Sequence, residues 1–503
     1  MISPTRKEYT IVSIGSLQVN ENHAVSSKPL IHYPLSIILK PMKQSLYTTQ
    51  DRIAALATPF ASSALAVIRT SGAGSIEAVA RCSGHPDTLL SAGHSRMVHM
   101  ELIHPEDGHP IDDVVMGVFR APGGYTGEDS IEIYCHGSLP GIQAILSALK
   151  FAGFRDAQRG EFTLRAFLNG RMDLTRAEAV QEIVGAKSEK AHEFALNRLS
   201  GGLYQRIEDE KRILTDMMSI LEVQLDYAED ELPDEIPFPA DQVRGVLKRL
   251  SDLAATYAAG RLYHEGARIA LAGRTNAGKS SLFNLFLKED RAIVSEIHGT
   301  TRDYLESWIS IAGLPARLFD TAGFRDIGLS HDADLIEQEG IRRSRELVSS
   351  SDIVLYLFDG VAGMSGPEEQ LFSDHRDDER YLFLWNKADH DACRPSPEGV
   401  WPVSAVSASG FHSLEQEILR RLTGKTPGIA EDQVMIDSQR QKELLDRAVE
   451  ALGVVIEAHD GGMPLDVLAA ELQEVLFALG SLTGEVTSDD ILDRIFSGFC
   501  VGK

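Results

Sequence analysis

Gly273-Arg274-Thr275-Asn276-Ala277-Gly278-Lys279-Ser280 decides how the rest of the sequence is understood. It matches G-x-x-x-x-G-K-[ST], between an apolar run at Arg268–Ala272 and a helical start at Ser281-Leu282-Phe283-Asn284. Strand, glycine loop and helix form the context in which that motif holds phosphate. Its glycines let backbone N–H groups turn inward, and the helix N-terminus adds partial positive charge. Asn276, Ala277, Gly278, Lys279, Ser280 and Ser281 are the expected nucleotide-binding residues here. Lys279 is placed to reach the β and γ phosphates, and Ser280 to ligate Mg²⁺. Taken alone, the stretch could still be a glycine-rich turn.

Working outward, apolar runs at Ala316–Phe319, Ile353–Phe358 and Tyr381–Trp385 are each followed by loop residues and a helical pattern. That alternation predicts a parallel sheet with helices on both faces. Three further motifs fall at its strand ends. Asp320-Thr321-Ala322-Gly323 offers a carboxylate to Mg²⁺ through water and an N–H to the γ-phosphate. In Asn386-Lys387-Ala388-Asp389, the Asp389 carboxylate can accept from guanine N1–H and N2–H₂. Adenine lacks that donor pair and would leave the carboxylate unpaired. Ser404-Ala405 fits a loop backing the base. Between the first two motifs lies Gly299-Thr300-Thr301-Arg302-Asp303, one of whose threonines should complete the Mg²⁺ shell. The order and placement of these motifs point to a GTPase.

Hydrolysis needs an oriented water. Many regulatory GTPases use a Gln just after D-T-A-G, but Phe324 stands there. Glu337 could act through a bridging water, or be a solvated helix-face carboxylate. Arg302 and Arg325 could each simply pair with a surface carboxylate. Asn276 could help hold a monovalent cation, or merely tolerate the turn.

The flanking sequence is different in kind. Residues 1 to about 45 carry no lasting period and are expected to be a poorly ordered extension, or to precede a true start at Met42. From Ile53 to about Phe167 strand-like runs (Ala64–Arg69, Ser130–Cys135) alternate with helical patches such as Ile142–Phe151, an α+β pattern. Thr175-Arg176-Ala177-Glu178 reads as a capping box opening a long helix. Ile213, Met217, Leu221 and Leu225 form one apolar stripe, and Leu465, Leu468, Leu472, Val475 and Leu479 another. The acidic stretch Tyr227–Pro237 reads as a solvated turn. Thr487-Ser488-Asp489-Asp490 caps a last helix, and Phe499–Lys503 is expected to hang free. The expected layout is multidomain, α/β plus α: 1–45 extension, 46–167 N-terminal domain, 168–265 and 428–503 two parts of one helical domain, and 266–427 an inserted P-loop GTPase domain.

Composition sets limits. The 503 residues carry 49 Lys and Arg against 74 Asp and Glu, a formal net charge of −25. Nucleic acid could therefore be bound only by a local patch or with a partner's help. Four cysteines, Cys82, Cys135, Cys393 and Cys500, make no disulfide framework and suit a reducing cytoplasm. No run approaches the ~20 apolar residues of a membrane helix.

With these residues in hand, the chain resembles the MnmE (TrmE) family of tRNA wobble-uridine modification GTPases. The similarity runs from about Asp51 to Lys503. Beyond the nucleotide motifs it rests on Gly124-Tyr125-Thr126-Gly127-Glu128-Asp129, on Gly160-Glu161-Phe162-Thr163-Leu164-Arg165-Ala166-Phe167-Leu168-Asn169-Gly170-Arg171, and on Phe499-Cys500-Val501-Gly502-Lys503. The resemblance implies a folate-binding N-terminal domain that also forms a homodimer. It implies a tetrahydrofolate (5-formyl or methylene form) at Arg69, Glu132, Arg171 and Lys503, each of which could equally be a surface ion-pair member. The loop Ser295-Glu296-Ile297-His298-Gly299-Thr300-Thr301 would cover the nucleotide. K⁺ would be held by Asn276, Ser295, Ile297 and Thr300, and Mg²⁺ by Ser280 and Thr301. Glu337 and Lys279 would be catalytic, with Cys500 matching the family's C-terminal cysteine. The implied partners are tRNA and a flavoprotein, MnmG, in a heterotetramer without a membrane; the implied product carries carboxymethylaminomethyl at uridine C5. Two departures stand out. Thr58–Ala64 lacks the glycines common there in the family, and Asp320–Gly340 is longer by a few residues than the family's pattern. Other classes remain: a ribosome-assembly switch GTPase, or a dimerisation scaffold with a vestigial site, against which intact Lys279, Ser280, Asp320 and Asp389 speak.

Overall fold

A computed structural model describes residues 50–226, 237–289, 306–320, 346–424 and 434–503. Three large apolar cores organise them.

The first core lies under a six-stranded sheet. Its strands are β1 (Arg52–Leu56), β2 (Ser63–Ser71), β3 (Arg96–Ile103), β4 (Pro110–Phe119), β5 (Ser130–Gly137) and β6 (Phe154–Asp156), in the order β3-β4-β5-β2-β1-β6. All pairs are antiparallel except β1 with β6. Alternation along β5 buries Ile131, Ile133 and Cys135 and turns Glu132 and Tyr134 to the other face. The antiparallel register of β2 and β5 sets Arg69 directly opposite Glu132. Helix Leu139–Phe151, capped by Ser138 on the Gly141 N–H, closes the apolar face with Ile142, Ile145, Ala148 and Leu149.

The second core is helical and drawn from both sides of the nucleotide-binding block. Leu214, Met217 and Leu221 of helix Gly202–Asp226 meet Leu250 of helix Ala240–Ala255. Against these pack Leu452 of helix Gln439–Asp460 and Leu468, Leu472, Val475 and Leu479 of helix Leu465–Thr483. The expected stripe through Leu225 is corrected. A strict four-residue spacing drifts by about 40° per step around a 3.6-residue helix. Ile213 is therefore half-buried, Met217 and Leu221 are buried, and Leu225 is exposed. The capping box at Thr175 is also corrected. Asp173 caps this helix, Leu174–Gly185, by accepting from the N–H groups of Thr175 and Arg176, and the helix is 12 residues long. Glu178 is thereby freed to pair with Arg440. Ser488 does stand at the start of helix Asp489–Phe496 but makes no side-chain cap bond; Asp489 and Asp490 occupy the first turn.

The third core belongs to the nucleotide-binding block. Strands β7 (Ala267–Gly273), β8 (Glu306–Ile311), β9 (Leu314–Asp320), β10 (Ile353–Asp359), β11 (Tyr381–Asn386) and β12 (Trp401–Pro402) lie in the order β12-β11-β10-β7-β9-β8. The sheet is mixed, not wholly parallel: β8 runs antiparallel to β9 through the two-residue turn Ala312-Gly313, both at positive φ. Both faces are covered. Leu355, Leu357, Leu382 and Leu384 face Leu282, Phe286 and Leu414. Phe358, Phe383 and Trp385 face Leu371 and Phe372 of helix Gly366–His375.

The C-terminal tail is not free. Phe496 and Phe499 are buried, Val501 bridges to Arg159, and Gly502 O accepts from Arg69 Nη1 at 3.1 Å. The Phe499 ring packs 5.3 Å from that of Phe496, while the backbone of Cys500, Val501 and Gly502 holds the tail on the N-terminal domain. All four cysteines are unpaired, Cys82 and Cys135 being buried with thiols pushed up to about 11 by burial. No described helix is long and apolar enough to cross a membrane. The expected extension 1–45 and the acidic turn at 227–236 lie outside the described residues.

Candidate nucleotide and N-terminal sites

β7 delivers the phosphate loop at its C-terminal end, between β9 and β10. Asn276 takes a left-handed backbone (φ 68°), Ala277 is fully buried, and helix Lys279–Glu289 begins at once. Lys279 is only 6% exposed, and its Nζ donates to the carbonyls of Gly273 and Arg274, both at 2.8 Å. The ammonium thus lies across the base of the loop. Ser280 and Ser281 sit exposed in the first helical turn. Asp320 ends β9 opposite Leu271 of β7. A hydroxyl in the first helical turn and a carboxylate at the end of β9 are hard-oxygen donors of the kind Mg²⁺ takes.

The base side is built on Asn386. This side chain, 2% exposed, donates from Nδ2 to Ala277 O at 2.8 Å and accepts from Ala405 N–H at 3.1 Å. It therefore staples the phosphate loop to the turn holding Ser404 and Ala405. Ser404 Oγ closes that turn by accepting from the N–H groups of Val406 and Ser407. A Cβ on Gly278 would lie 2.0 Å from Asn386 Nδ2, so the staple requires glycine there. Lys387, at φ 66°, pairs with Asp359 Oδ2 at 2.6 Å. Burial would raise Asp359, but Lys387 and the Ala362 and Val361 amides hold it below its ordinary value. Asp389 follows in an exposed turn. Ser295, Glu296, Ile297, His298, Gly299, Thr300, Thr301, Thr321, Ala322, Gly323 and Glu337 lie outside the described residues, as do Arg302, Phe324 and Arg325.

A second polar cluster forms on the N-terminal domain. Arg69 Nη2 lies 2.8 Å from Glu132 Oε1, and Tyr134 OH donates to Glu132 Oε2 at 2.8 Å. The Arg69 guanidinium sits 5.6 Å from the Tyr125 ring centroid and 5.8 Å from that of Phe162. With Gly502 O on the same guanidinium, Arg69, Glu132 and the tail come together. Arg171 packs its stem against Gly127 of the 124–129 loop, Lys503 N–H donates to Cys500 O at 3.3 Å, and Cys500 is exposed.

Comparison with known proteins bears on the whole chain. The family description MnmE helical domain matches residues 174–500, and GTP-binding protein TrmE N-terminus matches residues 52–171. Proteins named tRNA modification GTPase MnmE are similar over nearly the full length. That of Treponema denticola is 39% identical, covering 92% of this chain and 100% of the relative. That of Borrelia turicatae is 39% identical (91% and 100%), and that of Syntrophus aciditrophicus 38% identical (90% and 100%).

The chain belongs to the MnmE family. Within this MnmE chain, sequence reasoning missed two buried charge clusters. Arg165, 1% exposed, bonds Asp51, Glu128 and Glu161, and Arg155 also pairs with Asp51 and Glu161. Burial would raise Glu161, but Arg155, the Gln158 amide and Arg165 hold it below its ordinary value. This network fixes helix Glu161–Leu168 to β1 and to the loop under Arg69. The only signal was Arg and Glu at a four-residue helical spacing, common on exposed helices. The other cluster joins Glu182, Arg198, His264 and Asp437. Its members lie far apart in sequence and carry no motif.

Proposed function

We propose that this MnmE-family protein hydrolyses GTP and acts in modification of the tRNA wobble uridine, adding a carboxymethylaminomethyl group at C5. The observation that carries the reading is the Asn386 staple. One buried amide bonds the phosphate loop and the base-side turn together, beside the exposed carboxylate of Asp389. That arrangement supports binding of a nucleotide with a guanine edge, and the relatives' name supplies the tRNA substrate class.

Mg²⁺ would be held by Ser280 and Thr301, with Asp320 acting through water. K⁺ would sit at Asn276, Ser295, Ile297 and Thr300 and offset phosphate charge in the transition state, where other GTPases use arginine. Glu337 would orient the attacking water. A tetrahydrofolate at Arg69, Glu132, Arg171 and Lys503 would supply the one-carbon unit. Arg69 bears on this in two ways: its charge suits an anionic folate tail, and its aromatic neighbours fix its plane. Cys500, exposed beside that cluster, could take part in the carbon chemistry. The reading includes a homodimer through the N-terminal domains, a flavoprotein partner, MnmG, in a heterotetramer, and a cytoplasmic site of action. GTP turnover would drive a rearrangement of the dimer. The acidic surface agrees with a partner that supplies most of the tRNA contact.

Two measurements test this together. GTP turnover is expected to be faster in K⁺ than in Na⁺, and nucleoside mass analysis of tRNA from a deletion strain is expected to show the modified uridine missing. Normal nucleosides in that strain, alongside K⁺-stimulated GTPase activity of the purified protein, would favour a ribosome-assembly switch instead.

A further inference from the structure

The chain crosses between the helical core and the nucleotide-binding sheet twice. On the way out, helix Tyr257–Glu265 leads through Gly266 into β7, whose last residue opens the phosphate loop. On the way back, residues 434–437 run to Ser438, the cap of helix Gln439–Asp460. The two crossings touch. A Cβ on Gly260 would lie 2.1 Å from Ile436 O, so no side chain fits between them. Thr256 Oγ1 accepts from the Ile436 N–H at 3.2 Å.

Four ionisable side chains converge on this joint. Arg198 Nη2 lies 2.6 Å from Asp437 Oδ2 and also pairs with Glu182 Oε2, while its Nη1 reaches Met435 O at 3.4 Å. His264 Nδ1 lies 3.2 Å from the same Asp437 oxygen. Glu182, Arg198 and Asp437 are each more than nine-tenths buried. Asp437 Oδ1 has no hydrogen-bond partner among the described residues. A cavity of about 110 Å³, lined in part by Ala186, Phe194 and Tyr263, lies beside them. His264, with 42% of its side chain exposed, connects the cluster to water.

Counting charge shows what the cluster lacks. Two carboxylates face one guanidinium, so with a neutral imidazole one negative charge stays uncompensated away from water, a costly state. A proton on His264 or Glu182 removes the excess. A divalent ion fits worse, because it would sit against the same two carboxylates as the Arg198 guanidinium and face that positive charge at close range.

We propose that Glu182, Arg198, His264 and Asp437 form a proton-dependent latch that positions the phosphate-loop strand on the helical core and releases when the nucleotide-binding block moves. The latch deepens the GTP-driven rearrangement of the proposed function and rests on that reading. These are positioning residues; none belongs to the nucleotide site.

The environment of each group agrees. Burial and the Asp437 carboxylate push Glu182 up to about 8. The hydrogen bond to Asp437 holds His264 above its ordinary value. Burial would raise Asp437, but Arg198 and His264 hold it low. Glu178, on the helix that carries Glu182, is neutralised by Arg440 at 2.9 Å. Arg261, Tyr263 and Glu265 are the remaining ionisable groups around His264 on its own helix, Arg261 lying 3.6 Å from Glu265 and 3.7 Å from Asp352. His264 and Glu182 both hold a proton more firmly when the joint is closed than when it is open. Closure is therefore supported most below the ordinary carboxylate range of Glu182 and loses support steadily as pH rises toward about 8, where Glu182 gives up its proton in the closed joint.

The test is the distance distribution between one label on the helical core and one on the nucleotide-binding block, in the full chain, from pH 6.5 to pH 9. The wild type is expected to narrow at low pH, its open fraction rising on the order of tenfold by pH 9. Glu182→Gln removes the surplus carboxylate, and His264→Arg makes the missing charge permanent. Both variants should stay closed across the range. A wild-type distribution that ignores pH, or a Glu182→Gln protein that opens as the wild type does, would overturn the latch. A protein that latches but modifies no tRNA would instead contradict the proposed function, so the two failures are distinguishable.

Discussion

Replacing Asn386 by Ala should loosen both halves of the nucleotide site at once. The side chain is 2% exposed and makes two bonds, to Ala277 O and from Ala405 N–H. Its loss leaves one buried carbonyl and one half-buried amide without partners, at roughly 1–3 kcal/mol each. Water and local relaxation recover part of that, so the expected penalty on the binding-competent state is about 2–4 kcal/mol. GTP affinity should fall by ~30-fold to ~700-fold. Asn386→Asp should be worse than a half-loss, because it keeps the acceptor for Ala405 but turns an oxygen toward Ala277 O. Gly278→Ala should also weaken binding, its methyl carbon falling 2.0 Å from Asn386 Nδ2 at φ 99°. If contact with Asn386 is the cause, the double variant Gly278→Ala with Asn386→Ala will lose less than the sum of the singles, by ~0.5–3 kcal/mol. Only the left-handed backbone strain, about 1–2 kcal/mol, should remain unrelieved. Equilibrium titration with a fluorescent GTP analogue in Mg²⁺ measures all four proteins. Wild-type affinity in Asn386→Ala, or strict additivity in the double variant, would refute the staple.

Three further outcomes are expected. Glu337→Ala should bind GTP normally and turn it over ~10²–10⁴ times more slowly, as for a lost general base; single-turnover hydrolysis checks this, and an unchanged rate would remove Glu337 from the chemistry. Asp389→Asn should shift base preference from guanine toward xanthine, read by competition between GTP and XTP, and unchanged GTP preference would count against Asp389. Arg69→Ala removes the bond to Gly502 O and the pairing with Glu132, so the tail should loosen and Cys500 should react faster with a thiol reagent while buried Cys82 and Cys135 stay protected; an unchanged Cys500 rate would show that Phe499 and the Arg159 bridge hold the tail without Arg69.

Much of the nucleotide-binding block was legible because its signals are local. The glycine loop and each later motif lie within a few residues of the strand whose end they occupy. The four apolar runs of that block appear as β7, β9, β10 and β11 nearly as expected. What failed was also local in form but decided elsewhere. Thr175 had the pattern of a cap, yet Asp173 two residues earlier starts the helix, its carboxylate accepting from the amides of Thr175 and Arg176. The antiparallel β8 is an edge strand, and its turn, Ala312-Gly313, carries only one of the residue types that mark a hairpin. The tail was expected to hang free because nothing in five residues shows that Phe499 has a site and Gly502 O a guanidinium more than 400 positions away. Arg69 and Glu132 were named through family resemblance; the strand register that puts them face to face could not be read from either segment alone.

The two buried arginines follow from the same limitation and explain how an acidic chain holds several cores together. Arginine on a predicted helix suggests a solvated face, and both Arg165 and Arg198 lie on helices. Yet each is buried with carboxylates from other segments: Asp51 and Glu128 for Arg165, Glu182 and Asp437 for Arg198. Such clusters add little net stability over apolar packing of the same volume, but breaking one by removing a single partner costs about 3–5 kcal/mol. They therefore act more as registers than as glue. A core of leucines tolerates sliding by small steps, whereas a guanidinium between carboxylates has one good position. Arg165 lies where the N-terminal sheet meets the helix leading into the helical domain, and Arg198 where the chain enters and leaves the nucleotide-binding block. Both registers sit at joints between cores, where relative position has to be specified and apolar burial alone would leave it loose.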